Sequence, residues 1–304
     1  MKKSILSLFV ATSFLIRACS KDEVTEDTTT APGSTITNVA YASTSASQVM
    51  DIYLPEGTGP FPVVVLIHGG AFMMGDKSME ASNAAALVTK GIAAASINYR
   101  LSGEAKYPAQ IQDCKAAVRF LRANATKYNL NPDKIGSWGA SAGGNLSSLL
   151  GTTSGVSELE GAGLGNSSYS SKVIATVDWF GPINFLTMDA EASALGFTIN
   201  TNSSTSPESK LIGAAVQTVP ALVAKANPTT YITSDDAAFF IQVGSIDRNI
   251  PYTQSLNFCN ALKAVKGATE VSYELLDGAA HGGSQFSSSS NMAKVTAFFE
   301  KYLK

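Results

Sequence analysis

Five apolar residues in an unbroken row, Val63 to Ile67, anchor the reading of the chain. A strand with one wet face alternates apolar and polar positions; a strand apolar on both faces belongs inside a parallel sheet covered on each side. Two segments before this run, about 35–42 and 47–54, read as strands, and "QVMDIYLP" alternates in sidedness before stopping at Pro55. After it the pattern predicts a small-residue helix over about 79–90 and a strand within "GIAAASINYR". A helix opened by Pro108 then keeps its period through Tyr128, followed by a short strand from Lys134 to Trp138 and a helix from Ala142 to Leu150. Three further strands lie in "SKVIATVDWF", "AAFFIQVG" and "TEVSYELLD", with helices near 251–266 and 291–303.

Eight strands alternating with helices predict an α/β fold with a mostly parallel sheet, helices on both faces and an antiparallel lead-in from the first two strands. Two stretches interrupt the alternation: Gly/Ser-rich 151–171, and 182–233 with weak helical patterns. Excursions of that length in a compact domain are lids or binding loops, and both are expected to line the substrate pocket. With no repeats and no second apolar core, 35–304 reads as one catalytic domain.

The beginning of the chain follows a different pattern. Lys2 and Lys3 precede an apolar run from Ile5 to Ile16, too short to span a bilayer as a helix but arranged like an export signal. The run ends at "IRACSKDE", which resembles a bacterial lipoprotein signal with Cys19 as the lipidated residue. Residues 1–18 are thus expected to be a signal peptide and 19–34 a flexible tether, giving an outer-membrane or cell-surface lipoprotein anchored to the membrane by its lipid. Arg17 departs from the small or apolar residue usual in such signals; the alternative is a plain secretory signal and a periplasmic or secreted protein.

Charge and cysteines narrow the class. A formal charge of −2 leaves no basic stripe for nucleic acid. Cys114 and Cys259 each fall at helical spacing among apolar residues and read as buried thiols.

The candidate chemistry centres on "GASAG", Gly139 to Gly143. In a chain with 25 glycines and abundant serine, G-x-S-x-G alone is weak. Here it falls between a predicted strand and a predicted helix, the context in which Ser141 is presented at a sharp turn on the sheet edge. A serine nucleophile needs a base. The chain has two histidines. His68, in "LIHGGAF", follows a central strand where the backbone N–H groups of Gly70 and Ala71 are placed to bind an oxyanion. His281, in the loop after the last strand, is then the base. Asp247, just past the strand ending at Gly244, is the candidate orienting carboxylate; Asp178, Asp277 and Asp113 are its rivals.

Together "HGGAF", "NYRLSGEAKYPAQIQDCKAAVRFLRANATKYNLNPDKIGSWGASAGG", "GSIDRNIPY" and "GAAHGG" resemble the α/β-hydrolase esterases. They are most similar to the bacterial feruloyl and acetyl-xylan esterase-like (BD-FAE-like) enzymes, related to the hormone-sensitive-lipase group. The resemblance runs from about residue 35 to the C-terminus. It implies an α/β-hydrolase fold with Ser141 as nucleophile, His281 as base and Asp247 as its orienter, and Gly70, Ala71 and Ala142 supplying oxyanion-hole N–H groups. Ala71 stands where many relatives carry a third glycine, a change that keeps the backbone donor. The implied activity is hydrolysis of small acyl esters, acetyl or feruloyl, on plant polysaccharide, with no metal and no organic cofactor. The alternatives are a lipase or general carboxylesterase, a serine peptidase, and an inactive glycan-binding lipoprotein.

Overall fold

The computed structural model describes Met1 and residues 33–304. The expected signal peptide from residue 2 onward, Cys19 and the expected tether through residue 32 lie outside the described residues.

Eight strands form one sheet in the order β1-β2-β4-β3-β5-β6-β7-β8. They are β1 (Thr35–Ala40), β2 (Val49–Tyr53), β3 (Phe61–Ile67), β4 (Ala93–Ile97), β5 (Leu130–Ala140), β6 (Ala175–Trp179), β7 (Ala238–Gly244) and β8 (Val271–Leu276). β1 and β2 pair antiparallel, β2 joins β4 antiparallel, and every other pairing is parallel. This is the α/β-hydrolase sheet.

β3 shows why the apolar row was needed. Val63, Val65 and Ile67 point into one core cluster, with Ile111, Val118 and Leu121 of helix α2 (Ala109–Ala123) and Leu146, Leu149 and Leu150 of α3 (Ala142–Thr152). Val64 and Leu66 point to the other face, with Ala84 and Leu87 of α1 (Ala81–Val88) and Val295, Phe299 and Leu303 of the helix Ser289–Leu303. Period-two side-chain geometry divides one apolar run between two cores.

β5 starts earlier than the sequence reading. Its first residue, Leu130, pairs with Phe61, and the register slips before Val63 meets Ile135. Pro132, which has no N–H to donate, stands within the irregular stretch.

The two insertions differ from each other. The segment expected as a loop over 151–171 begins later, because α3 continues to Thr152. It holds a short helix, Ser157–Glu160, whose Glu160 reaches α2: its carboxylate pairs with the buried Lys115 at 2.6 Å and with Arg119 at 3.3 Å. The 182–233 segment forms three short α-helices, Met188–Ala194, Pro207–Ile212 and Pro220–Lys225, and two 3-10 turns, Val216–Thr218 and Pro228–Tyr231. Only this second insertion reaches the cavity over Ser141. The expectation that both line it is corrected: the carboxylate of Glu160 ties the first insertion to Lys115 and Arg119 of α2.

Candidate active site

Ser141 stands between β5 and α3 with φ 56° and ψ −121°, a backbone conformation rarely adopted outside glycine. The strain is held from two sides. The Ser141 N–H donates to Trp179 O of β6 at 2.8 Å. On the other side α3 packs so close to β3 that a Cβ on Gly143 would lie 2.0 Å from Ile67 O. The turn thereby pushes the serine side chain toward the carboxyl ends of the strands.

His281 arrives from the loop after β8. Its Nε2 lies 2.8 Å from Ser141 Oγ and its Nδ1 2.8 Å from Asp247 Oδ2. Asp247 is an acceptor only, so Nδ1 carries the proton and Nε2 is left to accept from the serine hydroxyl. The second oxygen of Asp247, Oδ1, accepts from the N–H groups of Asn249 and Ile250 at 2.8 and 3.0 Å, which fixes the carboxylate in its turn. The Asp247 side chain is fully buried while that of His281 is 20% exposed. The imidazole is therefore open to the cavity and the carboxylate is not.

Two residues missed in the sequence reading position the histidine. The ring of Phe180 packs on the His281 ring at 4.6 Å between centroids. Gly244, ending β7, lets the His281 loop cross directly over it; a Cβ there would lie 2.2 Å from Ala279 O and 2.3 Å from Ala280 O. The only sequence signals were an aromatic pair at the end of β6 and a glycine at the end of β7.

The rival carboxylates are engaged elsewhere. Asp113 is buried and pairs with Arg100 at 2.7 Å. Asp178 accepts from Ser148 Oγ and Gly181 N, and burial raises its carboxyl to about 6. Asp277 accepts from Ser245 Oγ at 3.5 Å. None of the three is bonded to His281.

His68 is 1% exposed, its ring stacked on Tyr99 at 4.4 Å. Burial holds its imidazole below the ordinary value, and Nδ1 donates to Gly69 O at 2.7 Å. It shapes the turn after β3. Gly70 takes φ 110° there and its carbonyl accepts from the N–H groups of Met73 and Met74. Ala71, with φ 57°, and Ala142, the first residue of α3, line the same cavity as Ser141 and His281; Gly70 does not. The cavity measures about 360 Å³. Phe72, Met188 and Ile199 supply apolar wall; Asn200, Glu208 and Arg248 supply polar wall. Among the described residues no cluster of histidine, cysteine and carboxylate side chains is arranged to hold a metal.

A family model described as BD-FAE matches residues 50–262. The chain belongs to the BD-FAE family. Its match runs from β2 into the helix Tyr252–Lys266, so it takes in Ser141 and Asp247 and stops short of His281. Among solved structures, this BD-FAE chain is similar to a truncated carbohydrate esterase from gut microbiota, at 36% identity and a TM-score of 0.81, covering 91% of this chain and 97% of that one. It is also similar to a bifunctional GH43-CE protein of Bacteroides eggerthii, at 38% identity and a TM-score of 0.79, covering 88% of this chain and 35% of that one. Esterase LipC of Mycobacterium tuberculosis is 29% identical over 241 residues, 78% of this chain and 57% of the relative. Esterase LipQ of the same organism is 28% identical over 250 residues, 80% of this chain and 56% of the relative. The chain thus spans little more than half the length of these two relatives.

Proposed function

We propose that this BD-FAE protein is a serine carboxylic-ester hydrolase that removes small acyl groups, acetyl or feruloyl, from plant polysaccharide such as xylan. The observation that carries the reading is the unbroken line from Ser141 Oγ through His281 to Asp247, with both bonds at 2.8 Å, at the mouth of a cavity edged by Ala71 and Ala142.

In this mechanism His281 Nε2 takes the hydroxyl proton as Ser141 Oγ attacks the ester carbonyl. The backbone N–H groups of Ala71 and Ala142, on the turn opened by Gly70, stabilise the oxyanion. The imidazolium, steadied by Asp247, gives its proton to the leaving alcohol. Water then enters; His281 takes a proton from it as the water oxygen attacks the acyl carbonyl, and returns that proton to Ser141 Oγ as the acyl–Oγ bond breaks and the free acid leaves.

The cavity, about 360 Å³, lies at the low end of the roughly 300–1,000 Å³ of ligand pockets, which favours a short or compact acyl group over a long chain. The polysaccharide assignment is supported by the carbohydrate esterase named among the similar structures. We place the protein at the outer membrane or cell surface through a lipid on Cys19, on the strength of the "IRACSKDE" sequence. Purified protein incubated with acetylated and feruloylated xylan fragments tests the substrate: acetate or ferulate is released. Release of neither, with long-chain p-nitrophenyl esters cleaved instead, favours a lipase.

A further inference from the structure

Two ionisable side chains line the Ser141 cavity and take no part in the proton relay. Glu208 lies in the first turn of Pro207–Ile212 within the second insertion and is 7% exposed. Burial raises its carboxyl above the ordinary value. Arg248 comes from the loop after β7, immediately following Asp247. Its guanidinium carbon stands 5.0 Å from the centre of the Phe197 ring, a cation–π contact that braces an otherwise exposed side chain. Among the described residues neither Glu208 nor Arg248 enters an ion pair, with each other or with any other group.

Opposite charges that border one cavity without pairing restrict what fits between them. A ligand carboxylate would face Glu208, and a ligand ammonium would face Arg248. A neutral polyol suits both: one hydroxyl donates to the carboxylate, and its neighbour accepts from the guanidinium. Asn200 and Asn249 line the same cavity and add amide groups that pair with hydroxyls in either sense. We propose that Glu208 and Arg248 form the specificity subsite for adjacent hydroxyls of a neutral sugar in the alcohol half of the ester. The inference rests on the esterase reading above.

The test compares kcat/KM for methyl 2-O-acetyl-xylopyranoside with that for p-nitrophenyl acetate, whose alcohol carries no sugar hydroxyls. The expected result is that E208Q and R248Q each lower the sugar-to-nitrophenyl ratio about tenfold, the order of one charged hydrogen bond. R248Q changes an exposed side chain, so it decides the question if E208Q fails to fold. A ratio within twofold of wild type in every folded variant overturns the subsite while leaving the esterase reading standing. Wild-type preference for the corresponding acetylated methyl glucuronoside, which carries a carboxylate, also overturns it. Wild-type protein inactive on all three esters overturns the esterase reading and the subsite with it.

Discussion

Asp247 never meets substrate in this account, yet it decides which nitrogen of His281 can act. With its carboxylate on Nδ1, Nε2 faces Ser141 unprotonated. Asp247→Asn offers an amide that can donate to Nδ1 and favour the wrong tautomer. The expected loss of kcat on p-nitrophenyl acetate is on the order of 10⁴-fold with the fold intact, by analogy with the same change in serine proteases. A loss under tenfold would mean that another carboxylate orients the base. Ser141, Asp247 and His281 were legible in the sequence because each falls just past a strand, where the chain order of an α/β-hydrolase puts its working residues. Phe180 and Gly244 were not. A ring packed at a tilt against an imidazole and a missing Cβ under a crossing loop are facts of tertiary contact, and nothing local in "WFG" or "QVGS" announces them.

At the scale of elements, buried groups have consequences that pH can expose. Glu80 closes the short helical turn Lys77–Glu80 before α1, is 6% exposed and accepts from Asn83. Burial raises its carboxyl from 4.5 to about 7. The folded chain therefore holds a proton that the unfolded chain releases. Stability falls as pH rises from 4.5 to about 7, by an upper bound of roughly 3 kcal/mol. Glu80→Gln keeps the acceptor for Asn83 and removes this loss. Urea melts are expected to show the variant more stable than wild type at pH 8 and no more stable at pH 4. Gly244→Ala tests the loop crossing: a Cβ 2.2 Å from Ala279 O must displace the His281 loop. Overpacking of this kind costs about 1–3 kcal/mol, and esterase activity should fall further than that loss of stability explains. Equal stability and activity in the variant would contradict the crossing. The strands themselves were readable from apolar runs. Their ends were less so, since Pro132 sits inside β5 and a pairing partner, Phe61, extends the strand past it.

Over the whole molecule, the sequence made the fold plain and the insertions opaque. Both insertions are rich in small polar residues, and composition alone could not say which faces Ser141. Ion pairs from Glu160 to Lys115 and Arg119 take the first away to α2, while Pro182, Met188 and Glu208 bring the second to the cavity. The proposed anchor belongs to this scale as well. Metabolic labelling with a palmitate analogue is expected to mark the wild-type chain and to be lost in Cys19→Ala; label retained by the variant would contradict lipidation at that residue. The central claim remains that Ser141 is the nucleophile of an ester hydrolase. Reaction with a fluorophosphonate, followed by peptide mapping, tests it most directly. The account predicts one adduct, on Ser141, formed together with loss of p-nitrophenyl acetate hydrolysis and absent from Ser141→Ala. An adduct on another residue, or undiminished hydrolysis by Ser141→Ala, would contradict it.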